Sequence, residues 1–463
     1  MMKHVKQILG GDIRQFSMVF ALVALLVGFH IASDGRMITS SNFQALVAGN
    51  AYVLTLAIGM VMVIVIGQID LSVGSVAGFV GMVVAITASD VGLPWWLAAL
   101  LGLVLGAAIG AWQGLWLAKL GIPGFITTLA GMMIFRGGVI WISSSISRPA
   151  PQELRTFGAG YLPEWGPGWT QLNNSTLLLG IVAAVWAVWG QLRAHQSRVA
   201  ESDVPVSPAP LIVRSALLVA VIGYLTWIFG HGRPGTSFPI PGLIVLLLVI
   251  FYHVLTQRTR FGRHVYAVGG NRAAAALSGV NVPRTYFLVM LNMSLLAAVA
   301  GIMFTGRATS AGPADGTNWE LDAIAAVFIG GAAVSGGVGT VTASIVGGLV
   351  MAVLNNGLAL MGVGADRTQV IKGVVLLAAV AFDVYNKSQG RPSIIGRLFS
   401  GLTPKGTAVA TTTDVPAAGP VDAAEPSLIS ARGLDGSPVA APTGTTDDVA
   451  AAADPTPSPR HGA

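Results

Sequence analysis

The chain places single ionisable side chains inside otherwise uncharged apolar stretches, where they could contact a solute, carry a proton or form an ion pair. Asp70 lies in the string Ile-Gly-Gln-Ile-Asp-Leu-Ser, between two apolar segments. An ionisable group at membrane depth is costly and therefore indicates a functional role by default. Capping of the following helix explains Asp70 or Ser72 equally well, because either side chain can accept from the unpaired N–H groups of a first helical turn. The two roles can coexist.

Four further charged positions lie in similar surroundings. Arg136, within Gly-Met-Met-Ile-Phe-Arg-Gly-Gly, must reach the membrane surface, pair with a carboxylate or line a wet cavity, and pairing is favoured. Glu320 and Asp322 begin a predicted helix, where the positive end of the helix dipole favours acidic groups, so a role in solute passage is the second explanation. Lys372 is predicted to pair with a carboxylate of another helix.

Uncharged polar residues add weaker candidates. Interhelical hydrogen bonding is the ordinary role of such groups in a membrane, and it is the first explanation for Asn50, Gln68, Asn292, Asn355 and Asn356. The predicted candidates for a solute pathway or gate are therefore Asp70, Ser72, Arg136, Glu320, Asp322 and Asn355.

A glycine-rich segment from Gly330 to Gly339 resembles a phosphate-binding loop only superficially. It lacks the closing Lys-Ser/Thr pair that contacts phosphate and magnesium, and it lies within a long uncharged run. The sequence therefore predicts a break in a membrane helix there, which is tolerated only where the backbone is buried in protein or lines a cavity.

A basic segment from Thr259 to Val282 contains an alanine-rich helix of about six residues that is predicted to end at Gly279. Exposed aromatic residues and glycine turns are predicted on its N-terminal side. A helix this short is unstable alone, so it should dock on another surface. Its own bundle, the lipid surface and a partner protein are all open from the residues alone.

The whole composition supports a membrane setting for these residues. The chain is 53% hydrophobic and 10% charged over 463 residues, whereas soluble domains are roughly 25% charged. There is no cysteine, which excludes disulfides and thiol-based metal or redox sites, and no cofactor is predicted. The basic excess fits the loops of a membrane protein and gives no case for nucleic-acid binding.

Uncharged runs long enough to cross a bilayer, about 20 helical residues, recur along the chain. They lack the alternation of a β-barrel, so we predict an all-α, polytopic transmembrane helical bundle of 10 to 12 helices. Gly102, Gly106 and Gly110 share one helix face and predict close helix packing. We assign residues 1–402 to the transmembrane domain and residues 403–463, poor in large apolar groups, to a disordered cytoplasmic tail.

Lys and Arg in short loops predict the orientation of the bundle. Basic residues before the first helix, in two later loops and after the last apolar run place both termini in the cytoplasm, with an even number of crossings. The first helix, near Phe16 to Ile31, is expected to be retained rather than cleaved. The segment from Arg148 to Ser175 is predicted to be an external loop with little regular structure, anchored by Trp165 and Trp169.

Six strings in one order give the chain its resemblance to a known family, the monosaccharide branch of bacterial ABC-transporter permeases, of the ribose, xylose and galactose type. The resemblance covers about Asn42 to Asp383. The strings are Ile-Asp-Leu-Ser-Val-Gly-Ser (69–75), Phe-Arg-Gly (135–137), Phe-Gly-Arg-His-Val-Tyr-Ala-Val-Gly-Gly-Asn (261–271), Leu-Ser-Gly-Val-Asn-Val (277–282), Glu-Leu-Asp-Ala-Ile-Ala-Ala (320–326) and residues 330–339.

The resemblance implies a coupling segment that contacts an ATPase subunit. The residues that it implies there are Arg263, Gly270, Asn271, Ala274, Ala275 and Gly279. Ala273 stands where many such permeases have Glu, so a salt bridge made by that Glu is not expected here. The chain also carries about 100 extra residues between Arg148 and Arg258, with two or three added helices, and is most similar to the xylose type in this respect.

The resemblance further implies a non-enzymatic permease subunit in the bacterial inner membrane. Two ATPase subunits, an extracytoplasmic sugar-binding protein and a second permease chain, either identical or paralogous, are the implied partners besides membrane lipid. The implied substrate is a monosaccharide, a pentose such as D-xylose first. A proton- or ion-coupled secondary transporter using Asp70, Arg136, Glu320 or Asp322 is the alternative, and a membrane-embedded enzyme is a third hypothesis without a supporting motif.

Overall fold

The computed structural model describes residues 13–166, 171–201, 207–233 and 235–388. The predicted tail, Trp169 and the basic residues at positions 3 and 6 lie outside these described residues. The helices are α1 Ile13–Ala32, α2 Ser40–Val65, α3 Val73–Ser89, α4 Trp95–Lys119, α5 Gly124–Ser143, α6 Arg155–Ala159, α7 Asn174–Ala200, α8 Ala209–Gly230, α9 Ile240–Arg258, α10 Arg260–Gly270, α11 Arg272–Leu277, α12 Val282–Ala308, α13 Trp319–Ile329, α14 Val341–Leu360 and α15 Ala365–Ser388.

The predicted all-α helical bundle is confirmed. In the described part of the chain, eight helices are long and apolar enough to cross a bilayer, and α3 and residues 18–32 of α1 form shorter apolar helices. These eight are fewer than the ten to twelve predicted crossings. One reason is that α13 has only 11 residues, so the long uncharged run around it is divided by a break rather than filled by full-length helices.

Helix α12 lies at the centre of the bundle, packed against α2, α3 and α4. The glycine face of α4 makes this packing close. A Cβ on Gly106 would lie 2.5 Å from the Cβ of Ala298, and one on Gly110 would lie 2.7 Å from the Cα of Leu291. Small residues let helix backbones approach where lipid offers no hydrophobic drive for association, so the predicted helix packing is confirmed.

The helices α7 and α8 form a hairpin at the edge of the bundle. They pack on each other, yet only 6% of the apolar window of each helix is buried. One polar attachment to the rest of the bundle is the bond from Gln44 Nε2 to the carbonyl oxygen of Phe229, 2.9 Å. These two helices of the segment between Arg148 and Arg258 therefore lie outside the centre of the bundle.

In the described residues from Arg148 to the start of α7, regular structure is limited to three short elements packed on the bundle, which agrees with the prediction of little regular structure. Strand β1, Arg148–Pro149, pairs antiparallel with strand β2, Ser310–Ala311, and a 3-10 turn at Gln152–Leu154 leads into α6. The packing includes backbone contact, because a Cβ on Gly158 would collide with the end of α12. Arg148 also forms an ion pair with Asp90, 3.0 Å.

The α4–α12 contact predicts the effect of enlarging Gly106. Gly106→Val should lower the free energy of unfolding by about 1–3 kcal/mol, because the added side chain overpacks a closed interface. Gly223→Val, at an exposed glycine of α8 with no atom within 4 Å, is the matched control. Denaturant titration of the purified chain in detergent measures both, and equal midpoints for the two variants would contradict the packing account.

Candidate functional site

The first break in the bundle separates α2 from α3. Its backbone finds hydrogen-bond partners on α5: the Leu71 N–H donates to Thr128 Oγ1 at 3.1 Å, and Thr128 Oγ1 donates to the Ile69 carbonyl oxygen at 3.2 Å. Gln68 Oε1 accepts from the Gly124 N–H at 2.8 Å. Irregular backbone at this depth needs such partners because lipid supplies none.

Asp70 and Ser72 lie fully buried in this break, and Gln113 of α4 is fully buried beside them. Asp70 Oδ1 accepts from the Ser72 N–H at 2.8 Å and from Ser72 Oγ at 2.7 Å, which closes a local turn ahead of α3. Gln113 Nε2 donates to Ser72 Oγ at 2.8 Å. Asp70 therefore orders the entry to α3, while the side chain of Ser72 does not cap the helix.

Two oxygens of this cluster, Asp70 Oδ2 and Gln113 Oε1, are buried without a hydrogen-bond partner in the described residues. Sequence reasoning missed Gln113, because it sits in the uncharged α4 with no flanking motif. Only the structure shows that Gln113 lies on the same face of α4 as the closely packed glycines, so its position was not recognisable from the sequence.

Arg136 on α5 joins the start of α3 to the segment before α13. Its guanidinium donates to Ser75 Oγ at 3.2 Å, to the Gly316 carbonyl oxygen at 3.1 Å and to Thr317 Oγ1. Among the described residues it forms no ion pair, so the favoured carboxylate pairing is wrong. The hydroxyl oxygens of Ser75 and Thr317 and the carbonyl oxygen of Gly316 accept hydrogen bonds from its guanidinium instead.

Glu320 and Asp322 lie buried in the first turn of α13, where the helix dipole favours them. Glu320 Oε2 has no hydrogen-bond partner in the described residues and faces Gly74, where a Cβ would collide with it. Asp322 Oδ1 pairs with Lys372 Nζ of α15 at 2.6 Å. The predicted pairing of Lys372 with a carboxylate of another helix is confirmed.

The second break follows α13 and runs to the start of α14. Gly331, Gly336 and Gly337 adopt positive φ angles of 80°, 82° and 74° there. These left-handed conformations favour glycine. The predicted break in a membrane helix at the glycine-rich segment is confirmed.

Two of the uncharged polar candidates, Asn292 and Asn356, form interhelical hydrogen bonds. Asn356 and Asn42 bond reciprocally at 2.9 and 3.1 Å, and Asn292 accepts from the Tyr252 hydroxyl. Asn50 donates to the Leu46 carbonyl oxygen of its own helix. Asn355 differs, because its Oδ1 is buried without a partner in the described residues.

The coupling segment, residues 259–282, forms two consecutive helices at one end of the bundle. Its N-terminal part is helix α10 rather than the predicted glycine turns with exposed aromatics. The physical reason is tertiary contact: Val265 and Val268 are buried, and the Tyr266 hydroxyl donates to the Gly339 carbonyl oxygen at 2.6 Å. Burial raises the pKa of Tyr266.

Helix α11 has the predicted length of six residues. The side chain of Asn271 caps it by accepting from the Ala274 N–H at 2.9 Å, and Gly279 has a φ of +82°. Ala275 faces the bundle, whereas Ala274 is exposed and Leu277 is 92% exposed. Arg263 and Gly270 of α10 are also exposed. The segment thus presents a small apolar surface outward.

The structure separates the candidate residues into two groups. The breaks bring together Asp70 with Ser72 and Arg136 with the approach to Glu320. The coupling segment contacts the second break through α10 and carries the exposed helix α11. No cluster of three or more His, Asp or Glu suited to a metal ion occurs within the described ranges. Hydroxyl, amide and carboxylate groups thus gather at the breaks without a metal-binding cluster.

Comparison with known proteins finds similar transport proteins. The family model described as branched-chain amino acid transport system / permease component matches residues 42–380. The xylose transport system permease protein XylH of Escherichia coli is 36% identical over 81% of this chain and 93% of its own length, and that of Haemophilus influenzae is 34% identical over 82% and 98%. The ribose import permease protein RbsC of Escherichia coli is 33% identical over 80% and 94%. No solved structure gives a significant match.

The ion pair between Asp322 and Lys372 predicts a double-mutant result. Lys372→Met should lower the free energy of unfolding by on the order of 3 kcal/mol, because Asp322 stays buried without its counter-charge. Asp322→Asn combined with Lys372→Met should recover most of this loss. Thermal unfolding in detergent gives the values.

The matched control is Arg148→Met. This substitution breaks the ion pair with Asp90, in which the Arg148 side chain is 30% exposed and the Asp90 side chain 40% exposed. It should lower the free energy of unfolding by no more than about 1 kcal/mol. An additive double mutant, as unstable as the sum of its single substitutions, would contradict a direct interaction between Asp322 and Lys372.

Proposed function

This chain belongs to the ABC-transporter permease family, within which it is the permease component of a sugar importer, and we propose that its sugar is a pentose, D-xylose first. It is a multi-pass membrane protein and a transporter component rather than an enzyme. The observation that carries the proposal is the match to XylH proteins over more than nine-tenths of their length. The moderate identity leaves the ribose type as the second candidate.

The proposed partners follow from the absence of an ATPase motif. The sequence contains no G-x-x-x-x-G-K-[ST] loop, so ATP hydrolysis must come from separate subunits. An external sugar-binding protein delivers the substrate, and two permease chains, identical or paralogous, form the pathway. ATP binding and hydrolysis then bias the bundle between two states.

Buried polar groups of the first break, α13 and α14 are the proposed contacts of the translocating sugar. A neutral sugar needs hydrogen-bond partners rather than counter-charges, and unpaired buried oxygens of Asp70, Glu320 and Asn355 can accept from sugar hydroxyls. Ser72 orients Asp70 by donating to its Oδ1, and Arg136 holds the segment ahead of α13 through the Gly316 carbonyl oxygen. Asp322, through Lys372, fixes the start of α13 relative to α15.

The proposed orientation places the coupling segment and both termini in the cytoplasm. Two sets of contacts support it. The coupling segment lies beside Val65 and the second break, whereas Asp90, Arg148 and strand β2 meet at other loops. The coupling segment and the residues that flank it are rich in Arg, as cytoplasmic loops are, namely Arg258, Arg260, Arg263, Arg272 and Arg284.

The orientation predicts opposite labelling of two single-cysteine variants. The natural chain has no cysteine, so Gln152→Cys and Ala276→Cys, both at exposed positions, each carry one thiol. A membrane-impermeant maleimide should label Gln152→Cys on intact cells and Ala276→Cys only after permeabilisation. Labelling of Ala276→Cys on intact cells would contradict the orientation.

The function predicts ATP-driven xylose uptake. Vesicles containing the chain with its ATPase and sugar-binding partners should accumulate labelled xylose only with ATP and should keep doing so with an uncoupler. Uptake that collapses with the uncoupler but survives ATP depletion would favour the secondary transporter.

Deletion of the gene tests the sugar assignment. Unchanged uptake of xylose, ribose, arabinose and galactose after the deletion would contradict it.

The coupling assignment predicts a specific defect in Gly279→Val. At φ +82° a branched side chain costs on the order of 1–2 kcal/mol, and relief of this strain would tilt α11. Since Gly279 has no atom within 4 Å, the bundle is not overpacked, and the variant should reach the membrane in normal amount. Stimulation of the ATPase and sugar uptake should both be lost.

Gly92→Val is the matched control for this variant. Gly92 has a φ of +80° and no atom within 4 Å, in the loop between α3 and α4, so it carries the same backbone strain away from the coupling segment. It should transport normally. Normal uptake by Gly279→Val would remove the coupling role from α11.

A further inference from the structure

Three glycine-containing backbone segments meet where the coupling segment contacts the bundle: residues 65–67, 269–270 and 336–339. We call this meeting point the glycine junction. The Gly337 N–H donates to the Val65 carbonyl oxygen at 2.8 Å. A Cβ on Gly269 would collide with that same oxygen and would lie 2.8 Å from the Gly337 nitrogen. The junction is therefore backbone packed on backbone, without an intervening side chain.

A side-chain hydrogen bond adds a second link at the junction. The Tyr266 hydroxyl on α10 donates to the Gly339 carbonyl oxygen at 2.6 Å. Val265 and Val268 of the same helix are buried at 1% and 3% exposure. Helix α10 is thus fixed to the bundle along its length, and it can move only together with what it contacts.

Each segment of the junction continues into a functional element. Gly67 opens the first break, which carries Asp70. Residues 336–339 belong to the second break, which ends α13 and its buried Glu320 and Asp322. On the outer side, Gly269 and Gly270 end α10 and lead directly to α11. The glycine junction therefore connects the exposed helix α11 with both breaks.

We propose that the glycine junction transmits displacement of α11 to both helix breaks, with Gly269 and Tyr266 as its positioning residues. The proposal rests on the proposed function, because the ATPase supplies the displacement. Packed interfaces shift between discrete arrangements rather than deforming continuously. Direct backbone contact at Gly269 leaves no side chain whose rotamers could absorb the movement, so a shift of α10 must move the Val65 carbonyl oxygen and the loop that is bonded to it.

The junction gives Gly269→Ala a distinct phenotype. The added methyl group must push Val65 away from Gly337 and loosen their hydrogen bond. In vesicles that hold the permease with its ATPase and sugar-binding partners, the sugar transported per ATP hydrolysed should fall by about tenfold. The ATPase should still copurify with the variant, because α11 keeps its exposed surface.

Tyr266→Phe is the second variant, and it tests the junction if Gly269→Ala does not accumulate in the membrane. It removes one hydroxyl while keeping the ring, and it should lower the same ratio in the same direction. Gly223→Ala, with no atom within 4 Å, and Tyr224→Phe, at an exposed position of α8, are the matched controls and should leave the ratio unchanged.

The ratio of sugar to ATP separates transmission from general damage, since loss of folded complex lowers both rates together. An unchanged ratio in Gly269→Ala, or in Tyr266→Phe where Gly269→Ala does not accumulate, overturns the junction. Wild-type vesicles run in parallel test the proposed function itself: if they transport no sugar, that function fails, whereas wild-type transport with an unchanged variant ratio rejects only the junction.

Discussion

Every backbone polar group within a membrane needs a partner inside the protein, and the organisation of this bundle follows from that requirement. Continuous helices satisfy it internally, but the two breaks cannot. The first break is bonded to α5 through Thr128 and Gln68, and the second to α2 and α10 through Gly337 and Tyr266. Each break therefore fixes its neighbours, and a change in one must rearrange the others.

The same requirement explains why polar side chains gather at the breaks. Asp70 closes the turn that starts α3, and Arg136 binds the carbonyl oxygen of Gly316 ahead of α13. Both side chains stabilise irregular backbone, yet the neighbouring oxygens of Asp70 and Glu320 stay without partners in the described residues. The structural role at these positions is direct, and contact of the unpaired oxygens with the sugar is part of the proposed function.

The sequence predicted those structural features that depend on residues close together in the chain. The breaks, the length of α11 and the left-handed Gly279 follow from glycine placement, and the pairing of Lys372 follows from the cost of a buried charge. The partners of Arg136, the role of Gln113 and the helical state of α10 depend on segments far apart in sequence. The glycines of α10 suggested turns, but packing on the second break outweighs their low helix propensity.

The central claim is that α11 meets an ATPase subunit through its exposed face. In a chain without natural cysteines, Leu277→Cys places one thiol at the position that is 92% exposed, whereas Ala275→Cys places it at 5% exposure against the bundle. A short reagent that couples a thiol to an amine should join Leu277→Cys to lysine side chains of the ATPase subunit and leave Ala275→Cys unlinked. Absence of that cross-link in vesicles that still import sugar at the wild-type rate would contradict the account.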